Sequence, residues 1–178
     1  MSDLFTRADS QTQLVKNIKQ QFLRFHLDPD VEVMLGLEQI TEVLKIRVGQ
    51  IVPIPQMPAW VMGVYNWRGD ILWMLDLGHL IGLEPWYRQQ INRSNRNAVI
   101  LSPNRARPQA VNDVHLGLVV SKVEDLEECD STAIQSNLGS TTENLTSFAS
   151  GYWLKPEGQI ISILDGDAIA DAMPKTAG

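Results

Sequence analysis

The chain has 178 residues, 44% apolar and 20% charged, with a formal net charge of -6. That composition is ordinary for a globular protein, and a chain of this length buries roughly 70% of its unfolded surface, so disorder of the whole chain is excluded. One cysteine, Cys129, excludes an intramolecular disulfide, and three scattered histidines, His26, His79 and His115, argue against a Cys/His metal centre. The acidic balance argues against nucleic-acid binding, which needs a concentrated basic footprint.

No apolar run approaches the roughly 18 residues of a membrane span. Met1 to Gln21 lacks the apolar centre of a signal peptide, so the chain reads as cytoplasmic. Residues 1–20 form a polar lead-in, 21–173 a single domain, and 174–178 a tail.

The predicted elements begin at Gln21. Leu23, Phe25 and Leu27 alternate with Arg24 and His26, and Val31, Val33 and Leu35 alternate after the turn Asp28-Pro29-Asp30. Residues 21–35 therefore read as a β-hairpin. Residues 37–44 are ambiguous between a helical turn and a strand with Ile40 and Val43 inward. Pro53, Pro55 and Pro58 exclude a regular strand there, and Pro58 to Met62 suits a short helix with proline at its first position.

Two strands then flank the turn Arg68-Gly69-Asp70, where glycine supplies a positive φ. Asp76 is placed to cap a helical turn holding Leu77, Leu80 and Ile81. Residues 84–113 carry arginines 88, 93, 96, 105 and 107, with only 98–101 resembling a strand. This insert reads as a solvated loop.

The second half runs as a strand over 114–120, an acidic run to Asp130 and an exposed connection over 131–149. A hairpin follows, with strands at 150–154 and 159–164, and then a cap at Asp165. The halves resemble each other. Gly69 to Asp76 aligns with Gly158 to Asp165 at an offset of 89, and Val31 to Val43 with Val114 to Leu126 at an offset of 83. The pattern predicts a mainly β fold of two small five-stranded barrels with short helical turns. Their bounds are about 21–83 and 96–173, with the exchange of strands between them left open.

Catalytic signals are absent: there is no Gly-x-Ser-x-Gly elbow, phosphate loop or His-Glu-x-x-His. His26, His79 and His115 read as surface residues. Cys129 ends an acidic run that should raise its thiol pKa, making it a poor nucleophile. Trp60, Trp67 and Trp73 surround one hairpin, as core packing or as anchors for a partner.

The stretch Pro58-Ala59-Trp60-Val61-Met62-Gly63-Val64-Tyr65-Asn66-Trp67-Arg68-Gly69, ending in Asp76-Leu77, resembles the CheW-like adaptors of bacterial chemosensory arrays. Ile40-Thr41-Glu42-Val43 matches the family's apolar-x-Glu-apolar motif. The resemblance implies two SH3-like barrels and a non-enzymatic, cofactor-free adaptor. Its implied partners are the cytoplasmic tip of a chemoreceptor and a histidine kinase regulatory domain of the same fold. It also implies recruitment to membrane-associated arrays serving chemotaxis, phototaxis or pilus-based motility.

Carried over by position, Arg68 in Asn66-Trp67-Arg68-Gly69 is the coupling residue, Glu42 its carboxylate partner, and Ile40 and Val43 line the receptor groove. Trp67 stands where the family has leucine. The competing reading is a barrel module for peptide or single-stranded nucleic acid.

Overall fold

The structure, a computed structural model, describes residues 18–89, 94–102, 114–136 and 143–175. The strands are β1 (Lys19–Asp28), β2 (Val31–Gly36), β3 (Ile40–Arg47), β4 (Val61–Trp67), β5 (Asp70–Asp76), β6 (Asn95–Leu101), β7 (His115–Val120), β8 (Lys122–Asp130), β9 (Ile134–Gln135), β10 (Ala149–Leu154) and β11 (Ile160–Leu164). Three short helices accompany them: α1 (Leu77–Leu80), α2 (Glu143–Thr146) and α3 (Gly166–Asp171).

The strands form two sheets. The six-stranded sheet has the order β8-β1-β2-β11-β10-β9, and the five-stranded sheet the order β3-β6-β7-β5-β4. Replacing β3, β6, β7, β5 and β4 by β8, β1, β2, β11 and β10 converts one order into the other. The sequence repeat is thus a repeat of topology. Each sheet takes strands from both halves of the chain, which supplies the exchange the sequence left open. β1 and β2 leave the first half to pair with β8 and β11, while β6 and β7 join β3 and β5.

Three apolar clusters explain the stacking. Between the sheets, Leu23, Phe25, Val33 and Leu35 meet Leu75, Val99, Leu116 and Leu118. Inside the five-stranded sheet lie Ile46, Leu72, Met74, Ala98 and Ile100. Inside the six-stranded sheet lie Phe22, Met34, Cys129, Ile161 and Ile163. Strand alternation sends neighbouring residues to different clusters, as with Val33 and Met34. Each fully buried Leu or Ile contributes about 2 kcal/mol through area removed from water.

Several local readings change. Pro58 to Met62 is not helical: Val61 N–H donates to Pro58 O at 2.9 Å, and β4 begins at once, because Val61 pairs with Leu75. Gly63 sits at φ 137, where β4 is irregular, and a Cβ there would collide with the Val52 carbonyl. That contact permits an isolated bridge between Val52 and Val64 that links the segment after β3 to the far edge of the sheet. β6 starts at Asn95 rather than 98, and Arg96 within it is buried at 4% exposure instead of solvated. The acidic run is strand β8. The caps stand as read: Asp76 accepts from His79 N–H, and Asp165 from Asp167 and Ala168 N–H.

Candidate functional site

β3 is an edge strand, and its two faces diverge because of one bulge. Ile40 pairs with Leu101, but Glu42 pairs with the next residue, Ile100, so Thr41 is extra. Ile40 and Val43 therefore both turn toward the cluster between the sheets, where their partners Leu101 and Val99 lie. Ile40 packs against that cluster, whereas Val43, at 40% exposure, stands at its open rim. Glu42 turns to the opposite face, toward the interior of the five-stranded sheet.

There Glu42 reaches the tip of the β4–β5 hairpin. Trp67 and Asp70 pair directly, leaving Arg68 and Gly69 as a two-residue loop. Both have positive φ, 55° and 88°, which is the twist-matching hairpin turn. Gly69 N–H donates to Asn66 Oδ1 at 3.1 Å and closes the loop. One oxygen of Glu42 accepts from Trp67 Nε1 at 2.5 Å, and the other from Arg68 Nη2 at 2.7 Å.

The indole is held on further sides. It packs against the interior cluster, His115 meets it edge-on at 5.3 Å between centroids, and the Arg68 guanidinium lies 5.2 Å from its centre. Glu42 keeps 23% side-chain exposure and Arg68 keeps 68%. The carboxylate is enclosed while the guanidinium is fixed at one edge and open at the other. Five of the seven predicted residues, Glu42, Asn66, Trp67, Arg68 and Gly69, form one hydrogen-bonded unit. Ile40 and Val43 lie across the β3 edge from it.

Two residues were missed. His115 reads on sequence as a polar-face residue but packs under Trp67; the parallel pairing of β5 with β7 brings it there. Leu126, 56% exposed on edge strand β8, occupies Val43's place in the repeat and pairs with Leu23 across the same kind of bulge. The offset of 83 carried that signal. His26 is also no free surface histidine, since its Nε2 lies 3.2 Å from Glu124 Oε1.

A second polar unit lies beyond α1. The buried Asp76 carboxylate accepts from Trp86 N–H at 2.8 Å as well as capping the helix. Arg96 donates to Trp86 O at 3.3 Å and Gln89 Oε1 at 3.2 Å. Burial raises the Asp76 pKa and lowers that of Arg96, and each charge partly offsets the other's desolvation. No group of three metal-ligating side chains is assembled among the described residues.

Residues 21–173 match the family model of the CheW-like domain. The chain belongs to the CheW-like domain family. It is 27% identical over 117 residues to the Chemotaxis protein CheW of Rhizobium meliloti (strain 1021), covering 66% of this chain and 67% of that protein. It is 37% identical over 59 residues to Protein FrzA of Myxococcus xanthus, covering 33% of this chain and 35% of the relative. In fold it is similar to the crystal structure of the scaffolding protein TtCheW from Thermoanaerobacter tengcongensis, with a TM-score of 0.66 and 21% identity over 83% of this chain and 90% of that one. The paired sheets are thus the two-subdomain CheW-like fold. No helix among the described residues is long and apolar enough to cross a membrane.

Proposed function

We propose that this CheW-like chain is a non-enzymatic adaptor. It couples the cytoplasmic tip of a chemoreceptor to a histidine kinase whose regulatory domain shares its fold, and it works in the cytoplasm at membrane-associated arrays. The observation that carries the reading is the Glu42–Trp67–Arg68 unit across the β3 edge from Ile40 and Val43.

A guanidinium held by a carboxylate and an indole face is oriented before a partner arrives, so docking immobilises little new side chain. Its 68% exposure leaves donors for a carboxylate or carbonyl on the receptor. Val43 and Ile40 supply the apolar strip that a helical tip requires. Trp67 adds a second donor to Glu42 and sharpens the orientation.

The test is a pulldown of the full chain with a receptor cytoplasmic fragment and, separately, with a kinase regulatory domain. Arg68→Ala is expected to weaken receptor capture about tenfold or more, keep kinase capture and leave the circular dichroism spectrum unchanged. Receptor capture equal to wild type would defeat the role of Arg68. Failure of the wild-type chain with both cognate partners would defeat the adaptor reading.

A further inference from the structure

At the far end of β3 a cleft of about 860 Å³ opens between the turn after that strand and a wall that includes Trp86, Tyr87, Ser94 and Asn95. Val48, Ile51, Met62 and Trp86 line it, with Arg47 and Asn95 among its polar residues. A smaller cleft of about 480 Å³ shares Arg47 and Asn95 and adds Lys45 and Arg96. Among the described residues, no aspartate or glutamate lines either. In a chain with 21 acidic and 15 basic residues, two exposed cations, Lys45 and Arg47, with no described acid lining the clefts mark a local reversal of charge.

Lys45 and Arg47 are exposed, and neither forms an ion pair with a described residue. Arg96 is buried, and its Nε–H finds no acceptor among them. The aromatic wall is fixed from behind. Trp86 is gripped through its N–H by Asp76 and through its carbonyl by Arg96, both 4% exposed. Tyr87, edge-on to Trp86 at 5.9 Å and 47% exposed, also lines the larger cleft. A rigid apolar wall beside unpaired cations is the complement of a segment that alternates carboxylates with apolar anchors.

We propose that this paired cleft docks an acidic segment of a partner protein, with an apolar side chain among Val48, Met62 and Trp86 and carboxylates on Lys45 and Arg47. Nucleic acid is the poorer occupant. The site offers too few cations to follow a phosphate backbone in a chain of net charge -6. Val43 and Arg47 are four residues apart on one strand, roughly 13 Å at strand rise, so the cleft is separate from the Arg68 surface and does not rest on the adaptor reading.

The experiment is fluorescence anisotropy on the full chain with three labelled probes: a peptide alternating Glu with Leu and Phe, the same peptide with Lys for Glu, and an oligothymidylate. The acidic peptide should bind, lose affinity with added salt, and weaken about tenfold in the K45E/R47E double variant and again in Met62→Asp. Lys19→Glu, a surface cation on the other sheet, should keep the affinity, and circular dichroism should show every variant folded. Absence of binding by the acidic peptide, equal binding by the double variant, or preference for the basic peptide or the oligonucleotide would overturn the proposal.

Discussion

The two sheets share a strand order and differ at their ends. In the five-stranded sheet, Glu42 holds one edge of Arg68, which remains 68% exposed. In the six-stranded sheet, Arg24 is answered by two carboxylates, Glu32 at 2.6 Å and Glu127 at 3.0 Å, and keeps only 20% side-chain exposure. Lys122 and His26 both meet Glu124, and Gln159 donates to Glu32. One end consumes its cations internally, and the other presents one. The fold is common to both halves, so partner recognition must lie in how each end is finished.

The largest effect tests whether the halves are one folding unit. Leu118 is fully buried in the cluster that both sheets share. Leu118→Ala should cost about 3–4 kcal/mol from lost transfer and a residual cavity. Denaturant unfolding followed by tryptophan fluorescence and by far-ultraviolet circular dichroism should still give one coincident transition. Two separated transitions would show that the sheets stand independently.

The second prediction contrasts the interiors. Cys129 occupies in the six-stranded sheet the place of Ile46 in the other, and burial, with Glu127 adding to it, raises its thiol pKa from 9.0 to about 11. The folded pKa lies above the unfolded one, so the protonated thiol's contribution is complete below about pH 9 and is lost as pH rises through about 11. Screened by nearby solvent, this amounts to alkaline destabilisation on the order of 1–2 kcal/mol. Stability measured across this range should fall more steeply for the wild type than for Cys129→Val. Equal slopes would refute it, and the thiol should resist alkylation at neutral pH until denaturant is added.

The third compares the two arginines directly. Arg24→Ala strands Glu32 and Glu127 in a half-buried site and should cost about 2–3 kcal/mol. Arg68→Ala removes a pair whose cation is mostly solvated and should cost under about 1 kcal/mol. Equal losses in parallel urea titrations would erase the distinction between an internal and a presented cation.

Much of this was legible in the residues. Alternation and turn chemistry predicted all three hairpins, Asp76 and Asp165 read as caps, and the offsets of 83 and 89 forecast the matching strand orders. The Glu42–Arg68 pair came from the family resemblance, not from spacing. What stayed hidden has physical causes. The bulge at Thr41 gives Ile40 and Val43 a helix-like spacing on a strand, so periodicity alone could not choose. Arg96 looked solvated because its partners, the Trp86 carbonyl and the Gln89 side chain, come from the preceding loop. The strand exchange depends on which apolar faces meet across the sheets, and no local pattern encodes that.

The smallest effect separates strain from recognition. Arg68 lies at φ 55, a left-handed conformation that costs a non-glycine residue of order 1 kcal/mol, at a turn position that favours Asn or Gly. Arg68→Gly removes that strain and also removes the exposed pair with Glu42, worth a few tenths of a kcal/mol. The loss of strain should win, so the variant should be slightly more stable, by about 0.5 kcal/mol, while capturing the receptor fragment no better than Arg68→Ala. Its counterpart hairpin, which carries a longer Lys155–Gln159 connection with Gly158 at φ 90, offers no such exchange. A clear destabilisation in Arg68→Gly would mean that the guanidinium is chiefly a structural clasp between β3 and the hairpin; a gain with loss of capture would mean that the turn holds a less favourable residue for the sake of its partner.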